Sequence, residues 1–275
     1  MERTRLYAYS EVALTTWWFD QHILTILTLN TVSSARGWLS ARLRNSARGL
    51  AGPPRQVVVI GSGFDTRPWR LALPTMTKWL EVDTDEIARA KMRGLASCKA
   101  ETQIHSNTGY YPLRTVQWDI HAADISRGNV DWTKILDMYG FDLDSPIVWV
   151  VENVLMYLSQ DHVKTLLLGL SEASCTGSVL LGNGTVNRNA ELLSGHGYNT
   201  TYPAHLVEHW VSSFPENPEV ALNECKWDVT DSCTQYDIAE QVCNGEASKL
   251  CAFDIPSGEM QDDFHTDVCF LARKL

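Results

Sequence analysis

The stretch Gln56-Val57-Val58-Val59-Ile60-Gly61-Ser62-Gly63-Phe64-Asp65-Thr66-Arg67 decides how the chain is read. The aliphatic run Val57 to Ile60 asks for a strand buried on both faces, as inside a parallel sheet. Gly61 and Gly63 follow it. Without a Cβ they let the backbone turn sharply and let a ligand approach the main chain. Further on, Trp79-Leu80-Glu81-Val82-Asp83 is a second short strand that ends in carboxylates. Strand, glycine turn, strand, acid is the layout of a site that holds a nucleoside.

Upstream of this stretch, residues 1–50 read as helical. Trp17, Trp18, Phe19, Ile23, Leu24 and Leu27 recur at near-helical spacing, and Arg36, Arg42, Arg44 and Arg48 make the one basic segment. Gly49 to Pro54 breaks the pattern before the strand. Downstream, Arg67 to Leu73 predicts a short helix stopped at Pro74, and Lys78 to Asp83 the second strand. Thr84 is placed to cap a helix whose first turn carries Asp85 and Glu86. Thr115 to Trp118 is a strand candidate, Trp132 to Tyr139 a helix, and Ile147 to Val151 an apolar strand ending at Glu152. Ser159 then opens a helix marked by Val163, Leu166, Leu167 and Leu170, and Ser178 to Gly182 is the next strand. Alternating strands and helices predict an α/β fold with a mostly parallel sheet. Beyond Gly184 the pattern weakens to a helix over Ala204 to Phe214 and a final strand over Thr266 to Ala272. The chain therefore reads as one domain in three parts: a helical segment over 1–52, a ligand-binding core over 53–184 and a substrate-side region over 185–275.

The 275 residues hold 23 Lys and Arg against 33 Asp and Glu, a formal net charge of −10 with no dense basic run. A nucleic-acid backbone would be repelled by such a field. No uninterrupted apolar segment follows Met1-Glu2-Arg3-Thr4-Arg5, and Ile23 to Leu29 is too short to span a bilayer. The expectation is a soluble cytoplasmic protein with no membrane partner. Seven cysteines, an odd number with no C-x-x-C pair, signal neither zinc nor a disulfide framework, and buried thiols are the expectation.

The glycine turn departs from the dinucleotide fingerprint G-x-G-x-x-G at its last position, which is Thr66. That glycine permits close packing around a pyrophosphate, so Thr66 favours a ligand without phosphates. With its neighbours, Gly61-Ser62-Gly63-Phe64-Asp65-Thr66-Arg67-Pro68-Trp69-Arg70-Leu71 resembles the G-x-G-x-D-T-R-x-x-R-L signature of the leucine carboxyl methyltransferase family. Glu81-Val82-Asp83, followed by a helix with Lys91, is similar to that family's next motif. Glu152-Asn153-Val154-Leu155-Met156-Tyr157-Leu158 is similar to its E-x-x-L-M-Y-L motif. Residues 185–275 match poorly.

The resemblance implies a Rossmann-like class I methyltransferase fold: a mostly parallel central sheet flanked by helices, with a helical N-terminal segment and a C-terminal cap. It implies S-adenosyl-L-methionine as cofactor. Gly61 and Gly63 would pass beneath the methionine portion, and Asp83 would accept from the ribose hydroxyls. Asp124 would stand beside the adenine, with Asp119 as the competing alignment. Glu152 would meet the amino end, and Arg42, with Arg36 as alternative, the cofactor's carboxylate. A carboxylate acceptor, ionised at neutral pH with a pKa of about 4, needs no base. The first-choice substrate is therefore a small-molecule or peptide carboxylate, oriented by Arg67 and Tyr157. A different reading pairs Arg67 and Arg70 with Asp65 and Glu81 instead. A hydroxyl acceptor is the variant, with His196, His205 or His209 as base. A nicotinamide oxidoreductase and a binding protein without turnover are the readings of another class.

Overall fold

A computed structural model of the chain describes residues 2–28, 54–103, 109–186, 209–242 and 267–275. Arg36 and Arg42, His196 and His205 lie outside these residues.

The strand β1 (Gln56–Ile60) is buried along its whole length, as its unbroken aliphatic run demands. Parallel partners stand on both sides: β2 (Lys78–Asp83) and β4 (Ile147–Val151). Outside β2 lies β3 (Gln117–Ala122), again parallel, and outside β4 lies parallel β5 (Val179–Thr185). Two antiparallel strands complete the sheet. β7 (Asp267–Lys274) pairs with β5, and β6 (Trp227–Thr234) pairs with β7, with a register shift between Val229 and Asp231. Among the described residues the order is β3-β2-β1-β4-β5-β7-β6. The fold is α/β with a mostly parallel sheet flanked by helices. The third strand begins two residues after the predicted Thr115 and runs on to Ala122.

Successive residues of β1 feed opposite layers. Val58 and Ile60 join Leu80, Trp149, Leu167 and Leu170 on one face. Val57 and Val59 join Trp79, Val148 and Leu181 on the other, and there they meet Trp18, Phe19, Ile23 and Leu27 of helix α1 (Glu2–Thr28). Those four α1 side chains have no exposed surface. Burial of each contributes about 1.5–3 kcal/mol. α1 is therefore a structural layer of the sheet.

The sequence predicts seven helical residues after the glycine turn, but helix α2 is the single turn Arg67–Arg70. Helix α3 (Asp85–Cys98) is capped by Thr84, whose hydroxyl accepts from Ile87 N–H. Helices α4 (Trp132–Met138) and α5 (Gln160–Glu172) open on Asp131 and Ser159 caps. α6 (Glu219–Glu224) and α7 (Gln235–Val242) flank β6. The helix expected up to Phe214 is absent over the described residues 209–214. Instead Val211 N–H donates to the Met156 carbonyl and Phe214 N–H to the Thr185 carbonyl, so the main chain follows its neighbours rather than itself. The Phe214 ring stacks on Phe270 at 5.2 Å, over Gly184, where an added Cβ would stand 2.6 Å from the ring's Cγ.

Among the described residues no helix is long and apolar enough to cross a membrane.

Candidate active site

Strand order places the site. Going from β1, the chain winds outward through β2 and β3, then returns to add β4 on the other side of β1. The carboxyl ends of β1 and β4 thus flank the point where winding reverses, the crevice in which open α/β sheets hold ligands. Gly61 follows β1, and Glu152 follows β4.

The glycine turn is held by its neighbour strand. Gly61 N–H donates to the Val82 carbonyl at 2.8 Å, and Gly63 N–H donates to Asp83 Oδ2 at 2.7 Å. Both glycines have positive φ, 64° and 50°. A Cβ at Gly61 would stand 2.5 Å from Val154 Cγ2, so only glycine lets the β4 loop approach. At Gly63 a Cβ would meet nothing within 4 Å among the described residues, which leaves this main-chain face open to a ligand as far as they reach. Asp83 Oδ1 accepts from Thr84 N–H at 2.7 Å. Each of its oxygens keeps a second lone pair for a hydroxyl donor.

Arg67 is the hub of the site and is almost wholly buried, at 3% exposure. Its Nε donates to Asp20 Oδ1 at 2.6 Å, Nη1 to Asp65 Oδ2 at 2.9 Å and Nη2 to Glu152 Oε2 at 2.6 Å. Arg70 also pairs with Asp20. Burial opposes the charge on Arg67, but Asp65, Glu152 and Asp20 outweigh it and hold its pKa above the ordinary value. Burial raises the Glu152 pKa, with Arg67 pulling the other way. Among the described residues, Asp20, Asp65 and Glu152 against Arg67 and Arg70 leave one negative charge in excess, and Asp83 adds another. Such a cluster favours a cationic ligand.

The partners of Arg67 in this geometry are carboxylates of the chain itself, beside the expected role of orienting an acceptor. Its guanidinium holds three of them. The expected pair with Asp65 is present. Glu81, however, pairs with Lys91 rather than with an arginine and accepts from Trp118 Nε1 at 2.9 Å. Burial pushes the Glu81 carboxyl up to about 7 against the pull of Lys91.

Two contributors to the site escaped the sequence reading, Thr16 and Asp20 of α1. Thr16 Oγ1 donates to Glu152 Oε1 at 3.0 Å. Their i, i+4 spacing, polar residues on one stripe of an apolar helix, was the available signal. Asp124 stands beyond the end of β3 at the site's edge, with Oδ1 accepting from Ser126 and Oδ2 from Arg127. Those bonds hold its pKa below the ordinary value. The competing Asp119 lies within β3 opposite Leu80, away from that edge. Tyr157 sits on the 3₁₀ turn Leu155–Tyr157 and is exposed, as is His209. A cavity of about 310 Å³ lies elsewhere, between α4 and α5, lined by Val130, Trp132, Leu166 and Leu168. None of the expected site residues lines it.

Comparisons with known proteins bear on what this geometry serves. The family model for leucine carboxyl methyltransferase matches residues 29–171. A Streptomyces coelicolor protein, provisionally named an S-adenosyl-L-methionine-dependent methyltransferase, is 30% identical over 180 residues, covering 64% of this chain and 56% of the relative. One from Frankia alni with the same provisional name is 31% identical over 185 residues, covering 66% and 56%. The chain thus spans just over half the length of these relatives. The crystal structure of a DUF574 family protein from Streptomyces avermitilis superposes with a TM-score of 0.55 at 14% identity, over 96% of this chain and 83% of that one. At that identity the likeness is one of fold.

Proposed function

The chain belongs to the leucine carboxyl methyltransferase family, and from that premise we propose that it transfers a methyl group from S-adenosyl-L-methionine to an oxygen acceptor, with a carboxylate of a small molecule or peptide as first choice. One observation carries the proposal: the Gly61–Gly63 turn, Asp83 and Glu152 converge at the carboxyl ends of three adjacent strands, at the winding reversal. The donor set fits the cofactor. Glu152 would receive the ammonium, Asp83 the ribose hydroxyls, Gly61 and Gly63 the methionine portion, and Asp124 the adenine edge. Arg42 would pair with the cofactor's carboxylate. The excess negative charge at the Arg67 hub suits a ligand that carries a sulfonium and an ammonium. Residues 1–275 would act as one unit, since α1 and the late strands β6 and β7 adjoin the same sheet.

When bound, the cofactor supplies an electrophilic methyl group. The chain's part is to align the acceptor with it and exclude water. An ionised carboxylate needs no proton removed, and Tyr157 would orient it.

The state of Arg67 favours a second reading. The arginine expected to meet an acceptor carboxylate already carries three of the chain's own, which suits a neutral hydroxyl acceptor with His209 as base. Incubation with cofactor labelled in its methyl group separates the two. A base-labile labelled ester supports the carboxylate, and a base-stable ether replaces it with the hydroxyl. Binding without labelled product across a broad acceptor screen would leave a binding protein. Asp83→Ala is expected to weaken cofactor binding, and unchanged affinity would remove Asp83 from the site.

A further inference from the structure

At the edge of the site, four polar side chains of the described residues share a largely buried network. β4 pairs with β5 as far as Val151 and Gly182, so the chain beyond Val151 leaves the ladder. Asn153, one residue after Glu152, turns away with φ of 55°, a left-handed conformation that asparagine tolerates better than most residues. Its N–H is taken up by a side chain. Asn183 Oδ1 on β5 accepts it at 2.7 Å, and Asn183 Nδ2 donates back to Asn153 Oδ1 at 2.7 Å. Nδ2 also donates to Asp267 Oδ2 at 3.0 Å, and Thr185 Oγ1 donates to Asp267 Oδ1 at 2.8 Å. Asn183 and Asp267 have no exposed surface, and Thr185 is 1% exposed.

A carboxylate only accepts, so Asp267 dictates which end of the Asn183 amide faces it. Nδ2 must point to Asp267, and Oδ1 is thereby aimed at the Asn153 main chain. Holding β5 to β7 does not require this arrangement. Leu181 opposite Leu271 does so on the same sheet face without desolvating polar groups. What the network adds is a defined main-chain direction at Asn153, hence at the adjoining Glu152.

We propose that Asn183 and Asp267 are positioning residues for the cofactor site: the Asn183 amide, oriented by Asp267, clamps Asn153 and sets the direction in which Glu152 presents its carboxylate. This rests on the reading of Glu152 as the partner of the cofactor's ammonium. It extends the site to β7, beyond the residues that match the family.

The test compares two ligands by titration calorimetry. S-adenosylhomocysteine carries the amino-acid end that Glu152 would meet, and 5′-methylthioadenosine lacks it. Asn183→Asp places an acceptor against Asn153 Oδ1 and Asp267, and should weaken S-adenosylhomocysteine about tenfold, the size of one misplaced buried hydrogen bond. It should leave 5′-methylthioadenosine unchanged. The exchange N183D/D267N restores a donor opposite an acceptor and should recover most of the lost affinity. Thr185→Val, which removes one donor to Asp267, should shift S-adenosylhomocysteine alone and by less, and it stands as the test if Asn183→Asp does not fold. Equal weakening of both ligands, or no change in either, would overturn the proposal. Asp83→Ala separates this from the underlying reading. It should weaken both ligands, and if it weakens neither, the cofactor site itself is misassigned.

Discussion

Arg67 donates to Asp20, Asp65 and Glu152 from a buried position, so removing its charge would leave three carboxylates facing one another. Breaking a buried ion-paired cluster on one side costs about 3–5 kcal/mol, because the remaining charges lose their compensation. Arg67→Met, which keeps much of the volume, should lower the free energy of urea unfolding by that amount, and a loss within about 0.5 kcal/mol, the range of ordinary surface substitutions, would show that Arg67 is not the hub. Glu81 gives the pH counterpart. Its folded pKa of about 7 lies above the ordinary value of about 4.3. Between these values the folded state binds more protons than the unfolded one, so Glu81 lowers stability as pH rises through the window. Urea melts at several pH values should show Glu81→Gln gaining on the wild type from pH 4.5 to 7. A parallel pair of curves would remove Glu81 as the source. The positions of Gly61, Gly63, Asp83 and Glu152 at the strand ends could be read from sequence because they are local: a turn, or an acid closing a strand. The partners of Arg67 could not, since Asp20 lies 47 residues upstream and only packing brings it close.

Helix α1 shows the same division at the next scale. Its apolar stripe was legible and buries Trp18, Phe19, Ile23 and Leu27 against the sheet. That Thr16 and Asp20 on the same helix reach the site was not legible, because spacing says which residues share a stripe and not what they meet. The two roles predict different phenotypes. Phe19→Ala should cost about 3–5 kcal/mol of stability through the cavity it leaves. Thr16→Val removes only the hydroxyl that donates to Glu152, and should cost about 1 kcal/mol of stability while weakening S-adenosylhomocysteine binding. Denaturation and titration of both variants would check this. If Thr16→Val leaves binding untouched, α1 supports the sheet alone. The strands divide likewise. β1 and β4 announce themselves as unbroken aliphatic runs, whereas β6 (Trp-Asp-Val-Thr-Asp-Ser-Cys-Thr) is an edge strand with few apolar residues and an irregular register. Such strands owe their conformation to the neighbour they pair with.

At the scale of the molecule, the parallel core follows from the alternation of strands and helices. The insertion of β7 between β5 and β6 follows from no local pattern, since it depends on which edge the returning chain finds. That arrangement brings Asp267 to the site edge and leaves the Gly61–Asp83–Glu152 crevice at the winding reversal. If the crevice holds the methyl donor, ligand binding must couple to unfolding of the whole sheet, because its residues come from β1, β2 and β4 together. A ligand that binds only the folded state at a hundred times its Kd stabilises it by about 2.7 kcal/mol. S-adenosylhomocysteine at that excess should raise the unfolding midpoint accordingly, and the rise should vanish in Asp83→Ala. NAD at the same concentration should leave the midpoint unmoved, because Thr66 replaces the glycine that lets a helix pack close to a pyrophosphate. A rise with NAD and none with S-adenosylhomocysteine would make the crevice a nicotinamide site.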